Sequence, residues 1–495
     1  MSERITQHEL ERYLWGGSTL LRGMIDAGDY KQYIFPLLFL KRLSDVYDEE
    51  RAASEAMYGE GVDFPENHRF LIPDGCHWAN IRQTPNDLGN TIRGAMRQIE
   101  QANPAHLRGV FGEGDWGNKD LLADSTLREL LEHFSSRTLS MAHLPEDELG
   151  NGYEFLIKKF ADDSGHTAQE FYTNRTLVRL MTRMLDAQPG ESVYDPTCGT
   201  GGMLITAAAE VKDQGKEWRS LRLYGQELNF GTSAIGRMNA FLHGIETSDI
   251  RHGDTLTRPL FLDEHGRLQT FDVVLANPPY SIKNWNRDAF ASDPHGRNMW
   301  GTPPQGRADY AFFQHIAASM DPTTGRAAIL FPHGVLFRRE EADMRRKLVE
   351  SGLLECVLGL GPGLFYNSPM EAVVVVLRST PQPGRECKVL FINAVNEYYR
   401  QNAQSFLSDA NQGRILNAYR AFEDEPGFSA VVDTQSILDK DASLVIPLYV
   451  AGAKPPEDAE DALTVEDAVA AWRLSAHEAD AAVDDVLEML TKEAE

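Results

Sequence analysis

A run of apolar residues, FDVVLA, is followed directly by Asn277, Pro278, Pro279 and Tyr280. The run has the length and composition of a strand in the core of a parallel sheet. Two consecutive prolines supply no backbone N–H donor and fix φ at both positions, so the strand must end there in a rigid turn. Because ligands bind at the carboxyl ends of strands in open α/β sheets, the segment predicts a rigid turn that handles a ligand.

A Gly-rich loop, DPTCGTGG, runs from Asp195 to Gly202 between a predicted strand and a predicted helix. Glycines at such a junction let a ligand approach the backbone and the N-terminus of the helix. The loop matches neither the P-loop nor the G-x-G-x-x-G pattern, and a plain strand–helix turn is the alternative interpretation. The candidate ligand contacts in the loop are Asp195, Pro196, Cys198, Gly199, Thr200, Gly201 and Gly202. Within this set, Cys198 is expected to pack rather than to act as a nucleophile.

Two acidic residues follow at later strand ends. Glu227 ends the predicted strand LRLYGQE, where α/β nucleotide sites place a carboxylate that accepts hydrogen bonds from the ribose hydroxyls. Asp254, with Thr255 beside it, comes one unit later and could accept from an adenine amino group. Each acid alone is more often a solvated loop residue or a helix cap. Together, and followed by NPPY, they predict a pocket for an adenosine-bearing cofactor.

In this order, the loop, the two acids and NPPY resemble an S-adenosylmethionine-dependent amino-methyltransferase. GHTAQEFYTNR, at 165–175, resembles the segment that lines the methionine part of the cofactor in adenine-N6 DNA methyltransferases. The segment from ITQHELERYLW to FLKRLSD resembles the helical N-terminal domain of the modification subunit of Type I restriction–modification systems. RADYAFFQHI and GRAAILFPHGVLFR resemble later motifs of that subunit. The resemblance covers nearly the whole chain.

The resemblance adds S-adenosyl-L-methionine contacts at Glu170, Phe171, Tyr172, Thr173, Asn174 and Arg175. The chain departs from the family pattern at Asn174, where proline is usual, and at His333, where asparagine is common. The first departure puts the rigidity of that turn in doubt.

The implied reaction explains the residues of the turn. The amino group of adenine is a poor nucleophile, and a paired base must be flipped out of the duplex before it can react. If the Asn277 oxygen and the Pro278 carbonyl accept hydrogen bonds from this amino group, they favour attack on the sulfonium methyl group. Pro279 stiffens the turn, and Tyr280 offers a face on which the flipped base could stack.

Two alternatives remain open. A protein-glutamine N5-methyltransferase also uses an Asn-Pro-Pro-Tyr motif on an amide, although the Phe-Tyr-Thr segment argues against it. An assembly scaffold with a decayed cofactor site would be a non-enzymatic alternative, which the intact motifs disfavour.

The predicted fold is α/β. Residues 1–160 carry helical patterns, with a capping box at Thr6 and Glu9 and a stripe through Phe39 and Leu43. Residues 161–450 alternate strand and helix and predict a Rossmann-like, doubly wound parallel sheet. Residues 451–495 read as a linker and a C-terminal helix that docks a partner subunit, with an apolar stripe from Val483 to Leu490.

Composition limits the partners and the location. The net charge of −26 opposes independent DNA binding, which normally requires a basic face. Sequence recognition is therefore expected in a specificity subunit, and the resemblance further implies a restriction subunit and two copies of this chain per specificity subunit. Lys283, Arg287 and Arg297 could contact DNA phosphates or form a solvated loop.

Location and metal content follow from the same composition. The N-terminus has no apolar signal-peptide core, and no run approaches the length of a membrane span. The four cysteines form no C-x-x-C pair. These features predict a cytoplasmic chain without a metal site or a disulfide framework.

Overall fold

The computed structural model describes residues 6–26, 29–59, 64–163, 173–245, 247–280, 282–365, 371–401 and 404–450. The predicted cofactor contacts Glu170, Phe171 and Tyr172 lie outside the described residues, as does the predicted docking segment 451–495. Among the described helices, none combines the length and the apolar character needed to cross a membrane.

The N-terminal part of the chain is helical. Its helices are α1 (Gln7–Thr19), α2 (Lys31–Tyr58), α3 (Trp78–Arg82), α4 (Leu88–Ala102), α5 (Asp124–Ser135) and α6 (Glu146–Asp163). Helix α1 begins with the predicted capping box, in which Thr6 and Glu9 exchange side-chain and backbone hydrogen bonds. The predicted stripe of α2 is buried at Phe39 and Leu43, so the helical pattern of this region is confirmed.

The remaining elements alternate between strands and helices. The helices are α7 (Arg175–Leu185), α8 (Gly202–Asp213), α9 (Phe230–Leu242), α10 (Arg287–Ala291), α11 (Asp309–Ala318), α12 (Ala342–Glu350), α13 (Asp409–Ala421) and α14 (Thr434–Leu438). The strands are β1 (Ser192–Asp195), β2 (Arg222–Glu227), β3 (Asp249–His252), β4 (Val273–Ala276), β5 (Arg326–Pro332), β6 (Leu354–Pro362), β7 (Glu371–Arg378), β8 (Lys388–Ala394), β9 (Tyr399–Gln401), β10 (Gln404–Phe406) and β11 (Ser429–Asp433).

Nine of these strands form one sheet in the order β11-β8-β6-β7-β5-β4-β1-β2-β3. Strands β3, β2, β1, β4 and β5 pair in parallel, and so do β6 and β8. The predicted α/β fold with a mainly parallel sheet is thus confirmed. One predicted strand, β7, differs from the parallel prediction because it pairs antiparallel with β5 and β6. Strand β11, which was not predicted, pairs antiparallel with β8.

The helical region packs directly against the sheet-containing region through α9. Ile235, Met238 and Leu242 of α9 belong to the same buried cluster as the apolar side chains of α1 to α6. Arg237 of α9 also donates to the Gly109 carbonyl oxygen at 2.7 Å. One continuous core therefore connects the N-terminal helices with a helix of the sheet layer.

Candidate active site

A cleft lies at the carboxyl ends of β1 and β4. Its walls gather predicted residues from three separate stretches of the chain. The lining residues are Thr173, Arg175, Asp195, Thr197, Cys198, Gly199, Thr200, Gly202, Met203 and Asn277. The structure thus brings Thr173 and Arg175, the Gly-rich loop and Asn277 together around one space.

The Gly-rich loop depends on two left-handed backbone positions. Gly199 has φ 54° and Gly201 has φ 79°, a region that disfavours residues with a Cβ. The Gly201 N–H donates to the Cys198 carbonyl at 2.8 Å and closes the turn before α8. From α9, the Asn239 side-chain amide donates to the Thr200 carbonyl at 2.9 Å. The loop is therefore a rigid strand–helix connection held from behind by α9.

The surroundings of Cys198 disfavour a role as a nucleophile. Its side chain is 5% exposed, and burial raises the pKa of its thiol well above the usual range. A Cβ at Gly225 of β2 would lie 2.8 Å from the Cys198 Sγ, so the glycine leaves the space that the thiol fills. The thiol packs as the sequence suggested, although the residue also lines the cleft.

Two carboxylates lie at neighbouring strand ends. Glu227, at the end of β2, accepts from the Gly199 N–H at 3.0 Å and from the Asn229 N–H at 2.8 Å. Asp195, at the end of β1, is 2% exposed and accepts from the Thr197 N–H at 3.0 Å. Burial, with a contribution from the nearby Glu227 charge, raises the pKa of Asp195 to about 8. This wall would accept a positively charged group.

Asp254 and Thr255 have local partners that the sequence did not indicate. The Asp254 carboxylate accepts from the Leu256 N–H at 2.9 Å and from the Thr257 hydroxyl at 2.8 Å. The Thr255 hydroxyl is buried and donates to the Pro196 carbonyl at 2.6 Å. This hydrogen bond joins the loops that carry Thr255 and Pro196, and the prediction of both residues as ligand contacts stays a prediction.

Arg297 reinforces these loops instead of facing solvent. It is 2% exposed, forms a buried ion pair with Asp293 at 2.6 Å, and donates to the carbonyls of Thr255 and Leu256. Its expected contact with a DNA phosphate is therefore wrong. A buried arginine with an acid four residues earlier and two carbonyl acceptors is a structural clamp.

Arg175 and Asn174 begin α7 but face different ways. The Asn174 side chain is buried, caps α7 by accepting from the Thr176 N–H, and donates to the Ser405 carbonyl at 2.8 Å. It therefore has a capping role, and its contact with the cofactor stays a prediction. Arg175 lies over Gly202 at the start of α8, where a Cβ would come within 1.8 Å of its Nη1. Because Gly202 has no side chain, the Arg175 guanidinium can occupy this part of the cleft.

The Asn277 amide is held from both sides. Its Nδ2 donates to the Thr173 hydroxyl at 2.9 Å, and its Oδ1 accepts from the Tyr280 hydroxyl. Burial raises the pKa of Tyr280 well above its usual range, so this hydroxyl stays protonated and donates. The Tyr280 ring packs edge-on against Phe365, with centroids 5.0 Å apart. The turn therefore fixes which way the amide oxygen points.

The same turn contains Pro278, which is buried, and Pro279, which is half-buried. Two residues that line the cleft, and one that contacts a cleft residue, were not predicted individually. Thr197 and Met203 could have been found as neighbours within and directly after the Gly-rich loop. Glu154, which lies on α6 and forms an ion pair with Arg175 at 2.7 Å, has no sequence signal that links it to the site.

Among the described residues, no group of three His, Cys, Asp or Glu side chains could hold a metal ion.

Comparisons with known proteins agree with this geometry. A family described as N-6 DNA Methylase matches residues 145–458, and one described as HsdM N-terminal domain matches residues 10–134. The chain is 30% identical over 488 residues to the Type I restriction enzyme MjaVIII methylase subunit of Methanocaldococcus jannaschii, covering 92% of this chain and 80% of that protein.

Two further relatives extend the match. The MpnII methylase subunit of Mycoplasma pneumoniae is 28% identical, with 89% of each chain covered. The crystal structure of a type I restriction-modification system methyltransferase subunit from Streptococcus thermophilus superposes with a TM-score of 0.77 at 30% identity, covering 90% of this chain and all of that one.

The raised pKa of Asp195 predicts a pH-dependent stability of the ligand-free chain. The folded pKa is about 8 against a usual 3.8, so the folded state binds the extra proton between these values. The free energy of unfolding should therefore fall as pH rises from about 4 to 8. Asp195→Asn has no carboxyl group to titrate at this position. Without cofactor, the melting temperature of the variant should therefore rise relative to that of the wild type as the pH increases from about 4 to 8. A constant difference from pH 5 to 9 would contradict the assignment.

Proposed function

Since the chain belongs to the N-6 DNA methylases, within the methyltransferase subunits of Type I restriction–modification systems, we propose roles for the residues of its cleft. The protein is an adenine-specific DNA methyltransferase that transfers the methyl group of S-adenosylmethionine to the N6 amino group. The protein-glutamine alternative is not favoured, because the DNA methylase match covers more than half of the chain. The observation that carries the assignment of roles is the Asn277 amide, fixed beside the Gly-rich loop.

The chemistry of the cleft fits a zwitterionic adenosine cofactor. Gly199 and Gly202 keep the backbone open, and Arg175 offers a cation where Gly202 leaves room. Asp195 and Glu227 offer acceptors at the ends of β1 and β2. We assign Glu227 to the ribose hydroxyls, Asp254 to the adenine, Asp195 to the positively charged centre, and Thr173 and Arg175 to the methionine part.

When bound, S-adenosylmethionine supplies a methyl group on a positively charged sulfur. The chain then has to present the adenine amino group to it in line. The Asn277 oxygen has two lone pairs, of which one accepts from Tyr280 and the other is suited to the amino group of a flipped adenine. The Pro278 carbonyl is assigned as the second acceptor. Two acceptors draw the nitrogen lone pair out of the ring plane, and the extra proton leaves to solvent afterwards.

Tyr280 has two proposed contributions. Its hydroxyl orients Asn277, and its ring provides an apolar surface for the flipped base. The first contribution rests on a hydrogen bond in the described residues, and the second remains a prediction.

We also propose the wider assembly. The chain works with a specificity subunit that reads the DNA sequence, in an assembly with two copies of this chain and a restriction subunit. Residues 1–160 are proposed as a helical domain, residues 161–450 as the methyltransferase domain and residues 451–495 as the docking segment.

The division between cofactor and target residues can be tested by two substitutions. Glu227→Ala removes a charged acceptor and should weaken S-adenosylmethionine binding by about 10–100-fold. Asn277→Ala should leave that affinity within about twofold and abolish methyl transfer, because the amide acts on the adenine. Calorimetric binding and single-turnover methylation give the two readouts. An equal loss of cofactor affinity in both variants would refute the division.

The hydroxyl of Tyr280 can be separated from its ring. Tyr280→Phe keeps the aromatic surface but loses the hydrogen bond to Asn277, and should lower kcat about 2–10-fold with an unchanged KM for S-adenosylmethionine. Tyr399→Phe, at an exposed tyrosine of β9, serves as the control. If Tyr280→Phe matched wild type, the ring alone would matter.

The need for a specificity subunit follows from the acidic charge of the chain. We expect the isolated chain to bind cofactor and to methylate a DNA library slowly or not at all, and addition of the specificity subunit to restore sequence-specific adenine methylation. Deleting residues 456–495 should spare cofactor binding and lower the yield of the complex. Efficient sequence-specific methylation by the isolated chain at physiological salt would contradict the proposed need for a specificity subunit.

A further inference from the structure

The ion pair between Glu154 and Arg175 joins the N-terminal helical region to the cleft. The Glu154 carboxylate accepts from Arg175 Nε at 3.1 Å and from Nη2 at 2.7 Å, a two-point contact that fixes the plane of the guanidinium. Both side chains are about one-fifth exposed. Arg175 lines the cleft, whereas Glu154 belongs to α6.

Helix α6 is a rigid support for this carboxylate. Tyr153, Leu156, Ile157 and Phe160, on the faces beside Glu154, are buried in the N-terminal core. The helix packs against α1 and against α9. A guanidinium on a flexible stem loses less order on binding an anion when its plane is fixed beforehand. The support for Arg175 therefore comes from outside the nucleotide-binding sheet layer.

The three guanidinium nitrogens of Arg175 lie near different groups. Nε and Nη2 face Glu154, while Nη1 is the guanidinium atom closest to Gly202 at the start of α8. The two-point geometry of the pair therefore fixes the orientation of Arg175 beside the cleft.

We infer that Glu154 is a positioning residue for cofactor binding, which holds Arg175 so that its guanidinium meets the carboxylate of the cofactor's methionine part. The inference rests on the proposed assignment of Arg175 to that part of the cofactor. Glu154 itself does not touch the cofactor. It acts through Arg175, and it makes a residue of the helical region part of the machinery that selects an amino-acid-bearing adenosine.

Two ligands separate positioning from a general structural effect. S-adenosylhomocysteine carries the amino-acid group, and 5′-methylthioadenosine lacks it, so the ratio of their Kd values isolates recognition of that group. In the full-length chain, Glu154→Gln should weaken S-adenosylhomocysteine binding about tenfold and change 5′-methylthioadenosine binding less than about twofold. Binding of the second ligand also shows that the cleft of the variant is folded.

The control and the double variant complete the test. Asp147→Asn breaks another ion pair between α6 and α8, that of Asp147 with Lys212 at 2.7 Å, and should leave the ratio unchanged. Because Glu154 acts through Arg175, adding Glu154→Gln to Arg175→Gln should cause no further change in the ratio.

Three results would overturn the inference. An unchanged ratio in Glu154→Gln, with a lowered preference for S-adenosylhomocysteine in Arg175→Gln, would show that Arg175 needs no support. Equal weakening of both ligands in Glu154→Gln would show a structural role only. An unchanged ratio in Arg175→Gln would remove the assignment of Arg175 itself, while retained binding of both ligands would leave the methyltransferase function standing.

Discussion

The parallel pairing of β1 with β2 on one side and β4 on the other is the constraint on which the site depends. Asp195 lies opposite Gly225, two residues before Glu227, and β4 ends one residue before Asn277. Strands that run in one direction finish at one edge, so residues separated by more than 80 positions meet there. An antiparallel neighbour on either side of β1 would send one of these groups to the opposite edge.

Acidic and basic side chains meet at this edge. The burial of Asp195 makes its ionised form costly until a positive charge arrives. Arg175 lies over the start of α8, oriented by an acid from another region. Because Asp195, Arg175 and the glycine loop line one cleft, a ligand that carries both a positive and a negative group finds complementary side chains there.

Apolar runs predicted β1, β2, β4, β5, β6 and β7 as strands because their side chains are buried. Strands β3 and β8 to β11 were not predicted. Strand β3 is a short edge strand, DIRH, whose charged side chains are largely exposed. The run at β7 could not reveal its direction, since both faces are buried in either orientation. Asn174 and Thr255 were placed in the right loops, but their side chains turn to backbone partners, which depends on tertiary contacts between distant residues.

The helical region is part of the site rather than an attachment to it. Helix α9 starts at the Asn229 cap, two residues after Glu227, and its Asn239 holds the glycine loop. Ile235, Met238 and Leu242 of α9 are buried among the N-terminal helices. A shift of the N-terminal helices would therefore move α9 and, with it, the Asn239 side chain that holds the glycine loop. Since α6 also carries Glu154, two independent contacts connect the position of these helices with the shape of the cleft.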